Sequence, residues 1–173
     1  SGQTQKGLAI IPSGIEKFSQ LEAKVRNFGS NVISFGDDES SDVRISTVEL
    51  LENAITAKII DQKQKSWNVK LKTAGKHYMK NATALLTLVS SLNLDLSKAI
   101  LALQSWSPLA GRGQVLEVSL KESDCNKTIY LIDESYNANP SSVKSSLETL
   151  ACIFTNKNGR GEHKRRISVL GDM

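Results

Sequence analysis

The sequence predicts an α/β protein: a mostly parallel sheet with an antiparallel edge, followed by the opening of a second strand-and-helix unit. Three observations carry this. Short continuous apolar runs alternate with helical periodicity at the amino-terminal end, the signature of buried, mostly parallel strands. Short strand-like segments separated by polar residues follow in the middle, as in an antiparallel hairpin. Near the carboxyl end, an apolar run stops abruptly at Asp133-Glu134-Ser135-Tyr136-Asn137-Ala138-Asn139-Pro140-Ser141. In open α/β sheets, ligands bind in the crevice just beyond strand ends.

Leu8, Ala9, Ile10 and Ile11 form the first strand, broken by Pro12, Ser13 and Gly14. Phe18, Leu21, Val25 and Phe28 recur at helical spacing, and Val32, Ile33, Ser34 and Phe35 return as a second strand before Gly36 and an acidic turn. Residues 43–45, 54–60 and 67–71 are the short segments, and residues 61–65 supply a polar turn between the last two, placing a hairpin at the sheet edge. Residues 77–91 read as a strong helix with Met79, Ala82, Leu86 and Val89 on one face. His77 and Asn81, four apart, share another face near its start. Ser97 is expected to cap a helix through Ala99, Ile100 and Leu103. Residues 107–113, Ser-Pro-Leu-Ala-Gly-Arg-Gly, interrupt all periodicity, so a domain boundary is expected there, with residues 1–110 on one side and 111–173 on the other.

Beyond it, Val115, Glu117 and Ser119 alternate with Leu116, Val118 and Leu120, the pattern of a half-buried strand. Residues 121–127 turn the chain back into a strand at 128–132. Asn139 is the expected cap of the next helix, with Pro140 at its first position and Val143, Leu147, Leu150 and Phe154 as its buried stripe. Residues 167–170 are expected to close a second strand-helix-strand unit. The chain starts at Ser1 and stops just after that run, where a strand-to-helix loop should begin; it is expected to be a fragment.

Composition narrows the function classes. The 173 residues carry a net charge of +4 and the apolar and charged fractions of an ordinary globular protein. The basic residues are scattered among acids, which argues against a nucleic-acid stripe. The densest group, His163-Lys164-Arg165-Arg166, reads as a solvated loop leading into a strand. No apolar run approaches the roughly 20 residues of a membrane span, and there is no signal peptide, so a cytoplasmic protein is expected. Cys125 and Cys152 are too far apart in sequence for a close-spaced zinc pair.

The chemistry-bearing residues each have a bland alternative. Gly75-Lys76 invites a phosphate-loop reading, which fails: Lys70 stands where the first glycine belongs, and His77 follows where serine or threonine should bind magnesium. A lone histidine is more often a surface or core residue, but Asn81 one turn later adds an amide able to donate to and accept from a nucleobase edge. Arg112 is either a surface arginine or, with glycines on both sides, a guanidinium free to reach a shared cleft and stabilise phosphate charge. Asp133 and Glu134 suit a helix amino terminus through the helix dipole. The second carboxylate and the two asparagines nevertheless exceed what a cap requires, and carboxylates accept sugar hydroxyls while repelling phosphate oxygens.

Together, the 133–141 string, Gly111-Arg112, Gly75-Lys76-His77 with Asn81, and Val169-Leu170-Gly171-Asp172-Met173 resemble the Mur ligase family. Within it, Ser135-Tyr136-Asn137-Ala138-Asn139-Pro140 is similar to the branch that joins D-alanyl-D-alanine to UDP-N-acetylmuramoyl-tripeptide; sister ligases carry other residues there. The resemblance implies that residues 1–110 are the carboxy-terminal part of a central ATP-binding domain and residues 111–173 the start of a Rossmann-like ligase domain. It implies ATP-dependent amide synthesis through an acyl phosphate in peptidoglycan precursor assembly, by an enzyme monomeric at full length. The phosphate loop, the magnesium ligands and the uridine-nucleotide domain are then expected upstream, with no metal ligand in this chain and no activity from the chain alone.

By position, the resemblance assigns Glu134 to the ribose with Asp133 beside it, Asn81 to adenine with His77 in the same motif, and Arg112 to the γ-phosphate. Asn137 is placed on the nucleotide side of the loop, and Tyr136 and Asn139 toward the incoming substrate. Two positions depart from the family pattern: Tyr78 stands where asparagine or methionine is frequent, and Ser13-Gly14-Ile15 replaces an Asn/Asp-rich turn. Two rival readings stand beside this one. The first is another amide ligase of similar architecture, such as a folylpolyglutamate synthase, against which the Tyr136-Asn137-Ala138-Asn139 loop weighs. The second is a non-catalytic nucleotide-binding Rossmann-like module.

Overall fold

A computed structural model describes residues 7–51, 54–73, 75–122, 125–153 and 165–172. In chain order the elements are β1 (Leu8–Pro12), α1 (Phe18–Asn27), β2 (Asn31–Gly36), β3 (Val43–Leu51), β4 (Ala54–Asp61), β5 (Ser66–Leu71), α2 (Lys76–Ser91), α3 (Leu96–Ser105), β6 (Gln114–Glu122), β7 (Cys125–Asp133) and α4 (Pro140–Cys152). The first five strands form one mixed sheet in the order β1-β2-β3-β4-β5, and β6 and β7 form a separate hairpin.

The predicted strand-helix-strand unit is present: β1 and β2 are parallel, with Leu8 opposite Asn31 and Pro12 opposite Phe35. The step to β3 is also parallel, over Phe35–Val43 and Gly36–Arg44 only. Asp42 reinforces this short junction. Its Oδ2 accepts the Ser34 N–H at 2.7 Å, and its own N–H donates to Ser34 Oγ at 2.9 Å. β3, β4 and β5 are antiparallel. The polar turn at residues 61–65 closes as predicted, Asp61 Oδ1 accepting the Lys65 N–H at 2.9 Å.

The core lies where α2 covers this sheet. Ile55, Ile59, Leu71, Val69, Met79 and Leu86 are each at most 1% exposed. The buried face of α2 differs from the predicted stripe: Thr83 and Thr87 are buried with Met79, Ala82 and Leu86, and Val89 is only half-buried. Their hydroxyls are satisfied inside the helix, Thr83 Oγ1 donating to the Met79 carbonyl at 2.8 Å and Thr87 Oγ1 to the Thr83 carbonyl at 2.7 Å. A pattern of apolar residues alone misses such threonines, because back-bonding removes the cost of burying them.

Four local expectations need correction. The cap of α3 is Asp95, not Ser97: Asp95 Oδ1 accepts the Lys98 N–H at 3.1 Å, and Leu96 already belongs to the helix and packs on the core. β6 is not half-buried. Val115, Leu116 and Leu120 of β6 and Ile129 and Leu131 of β7 are all exposed, because among the described residues no layer packs closely on this two-stranded ribbon. Residues 167–170 form no strand; among the described residues β7 pairs only with β6, so their backbone has no ladder to join. The stripe of α4 is shallow, with Leu147 40% exposed and Val143 and Leu150 half-buried, while Phe154 lies outside the described residues. Of the basic group, Arg165 and Arg166 are exposed, and His163 and Lys164 lie outside the described residues. Among the described residues, no helix is long and apolar enough to cross a membrane.

Candidate functional site

The site gathers where the start of α2, the 107–113 linker, the end of β7 and the start of α4 meet. Its organiser is the linker. Gly111 and Gly113 both have positive φ, +74° and +84°, a conformation that L side chains rarely adopt. That turn lets the linker backbone lie against the β7 loop. The Gly111 N–H donates to Asp133 Oδ2 at 2.9 Å, the Gly113 N–H to the Asp133 carbonyl at 2.8 Å, and the Tyr136 N–H returns to the Gly111 carbonyl at 3.0 Å. A Cβ on Gly111 would lie 3.1 Å from both N and Cβ of Tyr136. The predicted boundary is therefore stitched to the predicted ligand loop rather than swinging clear of it.

Arg112 is carried on this turn, with its guanidinium carbon 4.0 Å above the Tyr136 ring centroid, a cation–π arrangement. The stacked pair stays exposed. Tyr78, in the first turn of α2, donates its hydroxyl to the Arg112 carbonyl. Its ring packs on His77 at 4.0 Å and on Trp106, just past α3, at 5.1 Å between centroids. His77 also reaches α4 through Nδ1 and Ser145 Oγ, 3.1 Å apart. Burial pushes the imidazole below its ordinary value, favouring the neutral ring.

The two carboxylates are in different states. The Ser135 hydroxyl and N–H, with the Gly111 N–H, hold Asp133 below the usual carboxylate range, so its accepting capacity is shared between its own loop and the linker. Glu134 is half-buried; burial pushes its carboxyl up and the Asp133 charge adds to this, while the Ser146 hydroxyl acts the other way. Glu134 lines an open cleft of about 700 Å³ between β7, α4 and residues 167–172, together with Asn137, Ser146 and Asp172. Another cleft, of about 590 Å³, lies between the β4–β5 turn and the carboxyl end of α2 and contains none of the candidate site residues.

The remaining predicted residues fall around this knot. Asn139 caps α4 in a reciprocal box: its Oδ1 accepts the Ser142 N–H at 2.9 Å, and its own N–H donates to Ser142 Oγ at 3.0 Å. Asn137 Oδ1 accepts from the Ala138 N–H at 2.9 Å. Asn81 is exposed one turn along α2 from His77. Sequence reasoning gave no role to Tyr78, Trp106, Ser145 or Ser146. Trp106 beside the broken periodicity at residue 107 was the available signal; the serines of α4 had none. Among the described residues, no three His, Cys, Asp or Glu side chains come together to hold a metal.

Comparison with known proteins gives this arrangement its class. The family described as the Mur ligase middle domain matches residues 1–89. The chain belongs to the Mur ligase family. Its fold is similar to MurF from Acinetobacter baumannii, with a TM-score of 0.69 and 25% identity over 84% of this chain and 29% of that one. MurF from Thermotoga maritima, solved in complex with ADP, superposes at 0.64 with 20% identity, covering 86% of this chain and 31% of that one. The folylpolyglutamate synthetase of Lactobacillus casei shares the fold at 0.62 with 16% identity, covering 88% and 37%. The chain thus spans about a third of the length of these structures, and within the family it is MurF-like, on the structures that reach 25% identity.

Proposed function

We propose that this chain is the adenosine-side portion of an ATP-dependent ligase that joins D-alanyl-D-alanine to UDP-N-acetylmuramoyl-tripeptide. The observation that carries the reading is the stitched linker: Arg112, stacked on Tyr136, and the cleft-lining Glu134 meet the start of α2 in one place. A guanidinium suited to phosphate charge and a carboxylate suited to a ribose hydroxyl both act on Tyr78 at the start of α2. The tyrosine belongs to the MurF-like loop.

In this reading residues 1–110 belong to the central ATP-binding domain and residues 111–173 open the carboxy-terminal one. ATP supplies the phosphoryl group that turns the tripeptide's terminal carboxylate into an acyl phosphate. The dipeptide's amine then attacks the acyl carbon, and the tetrahedral adduct expels phosphate to leave the amide. Glu134 accepts from the ribose, Asn81 reads the adenine edge with His77 buttressing the same end of α2, and Arg112 offsets charge on the γ-phosphate as the linker presents it. Asp133 fixes the linker beside Glu134. Asn137 faces the nucleotide, and Tyr136 and Asn139 shape the loop toward the incoming dipeptide.

Magnesium, which the family resemblance implies, finds no ligand cluster among the described residues, and no step is assigned to it. The enzyme is expected to be cytoplasmic and monomeric, with phosphate loop and metal ligands outside this chain. The test has two parts. The purified chain, given ATP, magnesium and both acceptors, should release no phosphate; turnover would overturn the reading of the chain as a partial site. The full-length protein should release phosphate only when UDP-muramoyl-tripeptide and D-alanyl-D-alanine are both present. Release with folate and glutamate instead would transfer the assignment to the folylpolyglutamate branch, and release with neither pair would sink the ligase reading.

A further inference from the structure

Tyr78, in the first turn of α2, touches the linker as the β7 loop does. Tyr78 contributes two separable contacts. Its ring is packed between His77 and Trp106, which ties it to the ends of α2 and α3. Its hydroxyl donates to the carbonyl of Arg112 itself. The linker backbone passes so close that a Cβ on Gly113 would sit 3.1 Å from Tyr78 Oη. Arg112 is thus held at three points: its N–H donates to the Leu109 carbonyl at 3.0 Å, its carbonyl accepts from Tyr78, and its guanidinium lies on Tyr136.

A residue flanked by two glycines has unusual backbone freedom, and fixing it demands an external contact. The aim of a long side chain follows the orientation of its own peptide group. Burial, with the Glu134 charge, pushes the Tyr78 hydroxyl above its ordinary value, while the Arg112 charge opposes this. The hydroxyl therefore remains a donor throughout the neutral range.

We propose that Tyr78 is a positioning residue for Arg112, its hydroxyl locking the linker peptide so that the guanidinium is presented to the phosphate end of the nucleotide. The proposal rests on the reading of Arg112 given above. Its test uses Tyr78→Phe, which keeps the ring packing, together with Arg112→Ala and the double variant, in the full-length ligase. Removing one hydrogen bond should lower kcat in Y78F by about threefold to tenfold, with the KM for ATP within twofold. The double variant should be no slower than R112A, since both changes act through the same group.

In the chain itself, Y78F should accelerate amide exchange at Arg112 and Gly113. Independent, multiplying effects of Y78F and R112A, a loss confined to KM, or unchanged amide exchange would each overturn the positioning role. If R112A leaves turnover intact, it is the reading of Arg112 that fails, and the positioning role falls with it. A purely structural tyrosine would lower stability without this kcat-specific, non-additive pattern.

Discussion

Gly113→Ala is the sharpest probe of the stitched linker. The backbone there has φ +84°, and the left-handed region costs an L residue about 1–2 kcal/mol. The added methyl would also stand 3.1 Å from Tyr78 Oη and 3.3 Å from Glu134 Oε1, so the phenol must give by a few tenths of an ångström, which strains its hydrogen bond to the Arg112 carbonyl. That bond is worth about 0.5–1.5 kcal/mol, while alanine recovers about 0.4–1 kcal/mol by restricting the unfolded chain. With that bond partly weakened, the balance is a loss of about 1–2 kcal/mol, which lowers Tm by roughly 2–8 °C for a chain of this size. Urea denaturation followed by circular dichroism and by tryptophan fluorescence measures it, since Trp106 packs on the displaced ring. Gly14, where an added methyl would meet nothing within 4 Å and φ is not positive, is the matched control, and its alanine variant should stay within about 0.5 kcal/mol of the parent. A Gly113→Ala protein as stable as Gly14→Ala would refute the argument that the linker is held in this turn against Tyr78.

Three further outcomes follow from the same geometry. Glu134 has its carboxyl raised, so the folded chain keeps a proton that the unfolded chain has lost, and the stability due to this group falls as pH rises from the ordinary carboxylate value to the raised one. In the role proposed for Glu134 the carboxylate accepts from the ribose, so ADP affinity measured by calorimetry should climb over that window, and Glu134→Gln should weaken binding and flatten the climb; an unaltered profile would exclude Glu134 from the nucleotide site. Asn139→Ala should cost about 0.5–2 kcal/mol through loss of the α4 cap, whereas Asn139→Asp should keep it; if D-alanyl-D-alanine KM rises in the aspartate variant while stability holds, the side chain serves substrate as well. Leu86→Ala, at a fully buried position facing the sheet, should cost about 2–5 kcal/mol in urea titration with an unchanged m-value, and a loss below about 1 kcal/mol would displace the core from this interface.

Much of this molecule was legible in one dimension wherever a local rule decides. The Asn139-Pro140 start of α4 reads correctly because capping is settled within four residues. β1, β2 and the β4–β5 hairpin read correctly because apolar run length and turn chemistry are local as well. Ser97 misled because serine and aspartate are both good caps, and the choice depends on Leu96 finding the core. The half-buried reading of β6 failed because alternation records a face suited to burial, whereas burial itself needs a covering layer from elsewhere. At the site, residue types marked Glu134 and Arg112, but Tyr78 was invisible: its role is a contact across 34 positions of sequence, with a backbone atom whose place depends on two glycine turns.

The concentration of buried apolar residues between Phe35 and Leu86, with support reaching only to Leu103, has a consequence for how the protein comes apart. The hairpin and α4 draw little from that core, so opening there should require less free energy than opening the β3-β4-β5 sheet. The proposed site is therefore built across a gradient of cooperativity, with the residues proposed for adenine on the resistant unit and those proposed for ribose on the yielding one. A nucleotide bridging the two would tie the weaker unit's opening to its own dissociation, and the hairpin would report occupancy through slowed amide exchange.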